Sequence, residues 1–315
     1  MDKRQSLMNL FPADFRKKME AVGDYVDVIE EIRIRANMPV CLYIEGREYF
    51  IEEQGKLTFD RKEAYTPGVG HVEEIFKHIC DYSPYAFADE LRNGFMTVTG
   101  GHRVGVAGQV MTEGEQVIGM KNIRFLNIRI AHEIMGAADL VLPHLLKDGK
   151  FLSTMIISAP GCGKTTLLRD LIRQLSDGND LTGGMTVGVV DERSEIAGCY
   201  MGVPQNRIGF RTDVLDGCPK TRGMMMLIRS MKPDVVAIDE LGGNDDIVAL
   251  NKVIYCGSRV LVTIHGESME EIARKRELKT LMEEQVFERF VILTRKEDKR
   301  CFEILDKGGN FLCSV

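Results

Sequence analysis

Apolar residues along this chain keep two different periods, and the change between them divides it. Residues 6–22 repeat apolar side chains at helical spacing and predict an amphipathic helix. From Ile32 the alternation is strict. Ile32, Ile34, Val40, Leu42 and Ile44 fall on one face, with turns at Asn37 to Pro39 and at Glu45-Gly46, which predicts a small sheet. Residues 71–82 predict a second helix, ended by Pro84. Two more strand regions follow, in GFMTVTGGHRVGVAGQVM and NIRFLNIRIA. From residue 151 the pattern becomes strand, helix, strand, helix, with candidate strands at 151–158, 185–190, 234–238, 259–264 and 289–294. That alternation predicts an α/β fold, a mainly parallel sheet covered by helices. The tail reads as antiparallel strands with a last turn from Asp306 to Asn310. The expected organisation is a smaller α+β domain over 1–136 and a linker over 137–150 carrying Pro143 and Gly149. An α/β domain over 151–315 follows.

The stretch FLSTMIISAPGCGKTTLL, from residue 151, joins a buried strand to an amphipathic helix through a glycine-rich loop. Gly161-Cys162-Gly163-Lys164-Thr165-Thr166 fits the second half of the Walker A pattern, while Ser158 stands where its first glycine belongs. Glycines without Cβ let successive N–H groups turn inward and cradle phosphate oxygens at a helix N-terminus. The predicted nucleotide loop is Ser158, Ala159, Pro160, Gly161, Cys162, Gly163, Lys164, Thr165 and Thr166. Lys164 would reach the β- and γ-phosphates and the Thr165 hydroxyl would bind Mg²⁺. A plain glycine-rich turn would share this composition, but not the coincidence of strand, loop, Lys-Thr and helix. Cys162 lies inside the loop, where alkylation would block nucleotide.

A second acidic motif, PDVVAIDE, ends an apolar strand in Asp239-Glu240 and reads as Walker B. Asp239 would support Mg²⁺ and Glu240 would deprotonate the attacking water. Asp191, Glu192 and Arg193 follow another strand, and His265 a third. In an open parallel sheet, groups at carboxyl strand ends face one crevice, so Glu192 and His265 are candidates to tune or sense a phosphate. Asp191 and Glu192 could equally cap a helix or pair with an arginine. Asn251-Lys252-Val253-Ile254 is not the guanine motif N-K-x-D, so ATP is expected over GTP.

Composition narrows the class further. The 315 residues are 44% hydrophobic and 28% charged, a globular balance, and the net charge of −6 argues against tight nucleic-acid binding. No apolar run approaches the roughly 20 residues of a membrane helix, so no transmembrane anchor is expected. The eight cysteines are scattered singly without metal spacing and read as reduced thiols.

Strand-end acids in VVDERSE, the Arg229, Pro233, Asp234 segment, Asp-Glu and a strand-end His together resemble secretion-superfamily ATPases, the hexameric motors of type II and type IV secretion and of pili. More narrowly, GGHRVGVAG, NIRI, VDERSEIAG, RTDVLDGCPKTRGMMMLIRSMKPDVVAIDELGG and VTIHGES resemble the stage III sporulation protein AA family, over most of residues 90 to 270. The resemblance implies a RecA-like P-loop ATPase core with an N-terminal regulatory or assembly domain, forming a homo-oligomeric ring, expected as a hexamer. It implies a place in the mother-cell cytoplasm beneath a channel complex, held there by a membrane protein partner. Such a ring needs a cation supplied across subunits at the γ-phosphate. Arg103 and Arg129 are the N-terminal candidates, with Arg193 and Arg211 as alternatives in the core. The competing expectations are a slowly hydrolysing ATP-dependent scaffold and a nucleic-acid translocase.

Overall fold

The computed structural model describes residues 3–275, 278–296 and 299–315. The chain forms two compact units, 1–132 with 198–205, and 133–197 with 206–315.

The first unit opens with two short helices, α1 (Lys3–Met8) and α2 (Ala13–Met19), and a 3-10 turn over Glu20–Tyr25. The single helix expected over 6–22 is therefore broken. Pro12 sits at the N-cap of α2 with φ −61° and ψ 156°, an extended conformation that ends one helix and starts the next. A seven-stranded antiparallel sheet follows. Its strands are β1 (Ile29–Arg35), β2 (Cys41–Ile44), β3 (Arg47–Ile51), β4 (Leu57–Thr58), β5 (Phe95–Thr97), β6 (Arg103–Glu113) and β7 (Gln116–Arg129), in the order β4-β3-β2-β1-β7-β6-β5. Between β4 and β5 lie α3 (Val69–Ile79) and α4 (Ala88–Arg92).

Alternation decides which face of this sheet is covered. Ile32, Ile34, Leu42, Val104, Leu126 and Ile128 are buried against Leu7, Phe11, Phe15, Ile75 and Phe76, each aliphatic burial contributing about 1.5–3 kcal/mol. The intervening residues face outward. Arg33 is paired in register with Asn127, Arg35 with Phe125, and Arg129 with both Glu31 and Arg103. Cross-strand partners share a face, so four arginines decorate the open side. Residues 198–205 pack into this unit, where the Tyr200 hydroxyl donates to Asp81 at 2.6 Å and its ring stacks on Phe87.

The second unit begins earlier than the expected boundary at 151. The stretch expected as a linker, 137–150, is built into it, because Ala138, Val141, Leu142 and Leu145 are fully buried. A small pair, β8 (Leu146–Lys147) and β9 (Lys150–Phe151), precedes the main sheet. That sheet contains β10 (Thr154–Ser158), β11 (Val187–Asp191), β12 (Thr212–Asp216), β13 (Val235–Ile238), β14 (Arg259–His265), β15 (Arg289–Lys296), β16 (Lys299–Asp306) and β17 (Phe311–Ser314). The order is β12-β11-β13-β14-β10-β15-β16-β17, parallel through β15 and antiparallel in the last three strands.

Around the sheet run α5 (Lys164–Asp177), α6 (Lys220–Ser230), α7 (Asn244–Tyr255), α8 (Met269–Arg274) and α9 (Lys279–Glu283). β10, β11 and β13 are buried at every position, as expected where helices cover both faces of a parallel sheet. Among the described residues no helix is long and apolar enough to cross a membrane.

Candidate nucleotide site

The strand order places the carboxyl ends of β13, β14 and β10 side by side, with β14 in the middle. Each ends in a polar group at the same edge: Asp239-Glu240, His265 and the loop after Ser158. This is the edge where open α/β sheets bind ligands.

The loop from 159 to 163 turns back into the N-terminus of α5. Gly161 and Gly163 have φ of 79° and 99°, left-handed values that a Cβ would oppose. Ser158 needs no such freedom. It is the last residue of β10, fully paired in register with His265 and Leu293, and it is absent from the positive-φ positions. The missing Walker glycine therefore costs no backbone strain. Lys164 is 6% exposed, and its ammonium lies 3.3 Å from the His265 ring nitrogens and 3.6 Å from Glu240 Oε1.

Thr165 and Asp239 are brought together directly, with the Thr165 hydroxyl donating to Asp239 Oδ2 at 2.7 Å. The other Asp239 oxygen accepts from the Thr263 hydroxyl. Thr263 Oγ1 in turn accepts the Glu240 N–H at 2.8 Å, so this one buried hydroxyl fixes the Asp239 carboxylate and the backbone of Glu240. It sits inside VTIHGES, but nothing in the sequence pattern separates it from an ordinary strand threonine.

Glu240 itself has φ 56°, a strained conformation costing about 1–3 kcal/mol that concentrates at functional sites. Its carboxylate accepts from His265 Nε2 at 2.8 Å and meets Arg193 Nη1 at 3.3 Å. Partial burial works to raise its pKa, but the His265 hydrogen bond with the Lys164 and Arg193 charges holds it below the ordinary glutamate value.

Asp191 and Glu192 separate in role. Asp191 is buried and accepts the N–H groups of Glu195, Ile196 and Ala197 at 2.8–3.0 Å. Burial nevertheless raises its pKa to about 6. It is a turn-forming residue rather than a solvent-facing acid. Arg169 of α5 holds the same turn through the carbonyls of Glu195 and Ile196. Glu192 is half-exposed and paired with Lys220 Nζ at 2.7 Å. Asp191 to Arg193, Lys220, Asp239 and Glu240 line one narrow cleft of about 20 Å³. Two roomier cavities, of 610 and 800 Å³, open at the amino ends of the strands around Ser153, Asp234 and Arg259. They hold none of these groups.

Arg211 is removed from the phosphate chemistry. Its guanidinium donates to the carbonyls of Ser176 and Asp177, capping the C-terminus of α5, the end opposite the loop. Arg103 and Arg129 belong to the first unit, where Arg103 stacks over Phe95 and Arg129 lies 3.7 Å from Glu31. Arg33 and Arg35 join them on the same face, two residues overlooked although the alternation IRIR already announces them.

The profile of the family described as sporulation stage III, protein AA matches residues 1–312. The chain belongs to the stage III sporulation protein AA family. The stage III sporulation protein AA of Bacillus subtilis strain 168 is 43% identical over 285 residues, covering 90% of this chain and 89% of that one. Among solved structures, the Legionella pneumophila ATPase DotB superposes with a TM-score of 0.59 at 14% identity, covering 94% of this chain and 82% of DotB. The pilus retraction motor PilT, solved with ADP, gives 0.58 at 12% identity over 91% and 82%. This member of the sporulation family therefore shares the RecA-like fold of DotB and PilT over most of its length.

Proposed function

We propose that this protein is a Mg²⁺-dependent ATPase working as a homo-oligomeric ring, expected as a hexamer, that energises or assembles the channel complex of sporulation stage III. The observation that carries the reading is the convergence of Thr165, Asp239, Glu240, His265 and Lys164 at one sheet edge beside a phosphate loop.

Lys164 is positioned for the β- and γ-phosphates, and its contacts with Glu240 and His265 are ones that phosphate oxygens compete for. Thr165 Oγ1 and Asp239 are hard oxygen donors, a set that fits Mg²⁺ arriving with nucleotide. When bound there, the ion would neutralise charge developing between the β- and γ-phosphates. Glu240 would take the proton of the attacking water, His265 would hold its carboxylate, and Glu192 with Lys220 would line the approach. The open arginine face of the first unit, with Arg103 and Arg129, is suited to meet the site of a neighbouring subunit. Membrane attachment would come through a protein partner, from the mother-cell cytoplasm. No nucleic-acid substrate is expected, given the net charge of −6.

One observation favours the slower alternative, an ATP-dependent scaffold. A glutamate whose pKa is held down by a hydrogen bond from His265 and by the charges of Lys164 and Arg193 is a weak base until they are drawn away. Phosphate release with Mg-ATP separates the readings. Turnover by the wild type that disappears in Glu240→Gln supports the enzyme. Nucleotide binding with release no faster than Glu240→Gln supports the scaffold.

A further inference from the structure

A second cation attends the phosphate loop from the side opposite Glu240. A Cβ built on Gly163 would lie 2.9 Å from Nε of Arg300 and 3.1 Å from its Cζ and Nη2. The guanidinium of β16 thus rests against the glycine that precedes Lys164. Among the described residues Arg300 has no hydrogen-bonding or ion-pairing partner, although it is partly buried. A partly buried guanidinium that meets no acid among the described residues is costly to hold, and its flat fork suits phosphate oxygens.

The strand order says which phosphates. Counting from β10, the acids Asp239 and Glu240 and His265 lie on the β14 and β13 side, and Lys164 leans toward them. Arg300 lies on the other side, beyond β15. The hydrolytic groups mark the γ-phosphate end, so the flank at Gly163 faces the phosphates nearer the nucleoside, which loop N–H groups cradle.

We infer that Arg300 binds the α- and β-phosphates of the nucleotide held by its own subunit. The inference rests on the nucleotide reading above and extends it to a residue outside the Walker motifs. It makes Arg300 a binding residue for ADP and ATP alike, in contrast to an arginine acting across subunits on the γ-phosphate.

Titration calorimetry with ADP and with a non-hydrolysable ATP analogue, on wild type, Arg300→Ala and Arg300→Gln, tests it. Loss of a charged hydrogen-bonding group should weaken both ligands by about 10- to 100-fold and to a similar degree, with thermal midpoints unchanged. Arg300→Gln keeps much of the side-chain volume and serves the same comparison if the alanine variant unfolds. Wild-type affinity in a folded variant overturns the inference and leaves the nucleotide reading intact. A loss confined to the ATP analogue overturns it in favour of the γ-phosphate. A wild-type protein that binds neither ligand overturns both readings.

Discussion

The Lys164 ammonium stands 3.6 Å from the Glu240 carboxylate, with His265 in contact with both. The residue expected to bind phosphate is therefore held by the residue expected to activate water. On the proposed reading, phosphate would compete with the carboxylate for one cation, and drawing Lys164 away would leave Glu240 a stronger base. Such an exchange of ion-pair partners would couple nucleotide occupancy to catalytic competence.

Removing the base while keeping the site's shape should separate binding from chemistry. Glu240→Gln should keep nucleotide affinity within a few fold and lose on the order of 10²–10⁴ in turnover. Equal turnover in the two proteins would remove Glu240 from the mechanism.

The lowered pKa of Glu240 sets a pH window. In the nucleotide-free protein the carboxylate stays ionised below the ordinary glutamate range, so kcat/KM, which reports the free enzyme's groups, should persist into mild acid and fall only below that range. Arg193→Ala deletes one of the groups holding the pKa down, so the acidic limb of the pH–rate profile should move up. A limb that stays put or moves down would contradict the electrostatic account.

Ser158 makes an unusual prediction because it departs from the motif. It is a buried strand residue without positive φ, so restoring the consensus glycine relieves nothing. Ser158→Gly should leave nucleotide affinity unchanged and destabilise the protein by about 0.5–1 kcal/mol, the cost of a glycine in a strand. A gain in affinity would show that Ser158 distorts the loop.

His102 should make the first unit sensitive to acid. Its Nδ1 accepts the Ala131 N–H at 3.1 Å and its Nε2 faces Ser6 Oγ at 3.2 Å, which fits a neutral ring. Burial, aided by His132 and Lys3, lowers its pKa to about 4 from 6.5. The unfolded chain therefore binds the extra proton first. Stability from this group is full above pH 6.5 and is lost as pH falls to about 4, where the loss reaches roughly 3 kcal/mol. Urea midpoints of the wild type should fall over that window more steeply than those of His102→Gln. Parallel slopes would acquit His102.

Much of the second unit is legible because parallel strands buried on both faces leave continuous apolar runs, as in Met155 to Ile157 and Val235 to Ile238. β12 escapes the same reading. It is an edge strand, TDVLD, with no fully buried position, so its apolar signal is too weak to stand out. The helical period of 6–22 is real, but Pro12 overrides it.

The packing of 198–205 into the first unit has no local signature, since it depends on Asp81 and Phe87 more than a hundred residues earlier in the chain. Lys164, Thr165, Asp239 and Glu240, which the structure brings together, are readable as a group from their spacing. Thr263 and Arg300 are not, because each is defined by which strand lies next to which. Asp191 is readable as a strand-end acid, and only burial shows that it closes a turn.

The four outward arginines of the first unit give a test of assembly. Arg103→Ala with Arg129→Ala should leave the thermal midpoint and ADP affinity near wild type and lower turnover by about 10³ or more if either acts at a neighbour's γ-phosphate. Wild-type turnover in the double variant would move the search to Arg33 and Arg35, whose side chains share that face.

ATP hydrolysis at sites completed between subunits would make activity depend on assembly. The most direct measurement is ATP turnover per subunit across a wide range of protein concentration, with Glu240→Gln as the blank. Specific activity should climb steeply with concentration and vanish in the blank. Activity that is flat with concentration and no higher than the blank would contradict the claim and leave a nucleotide-binding scaffold.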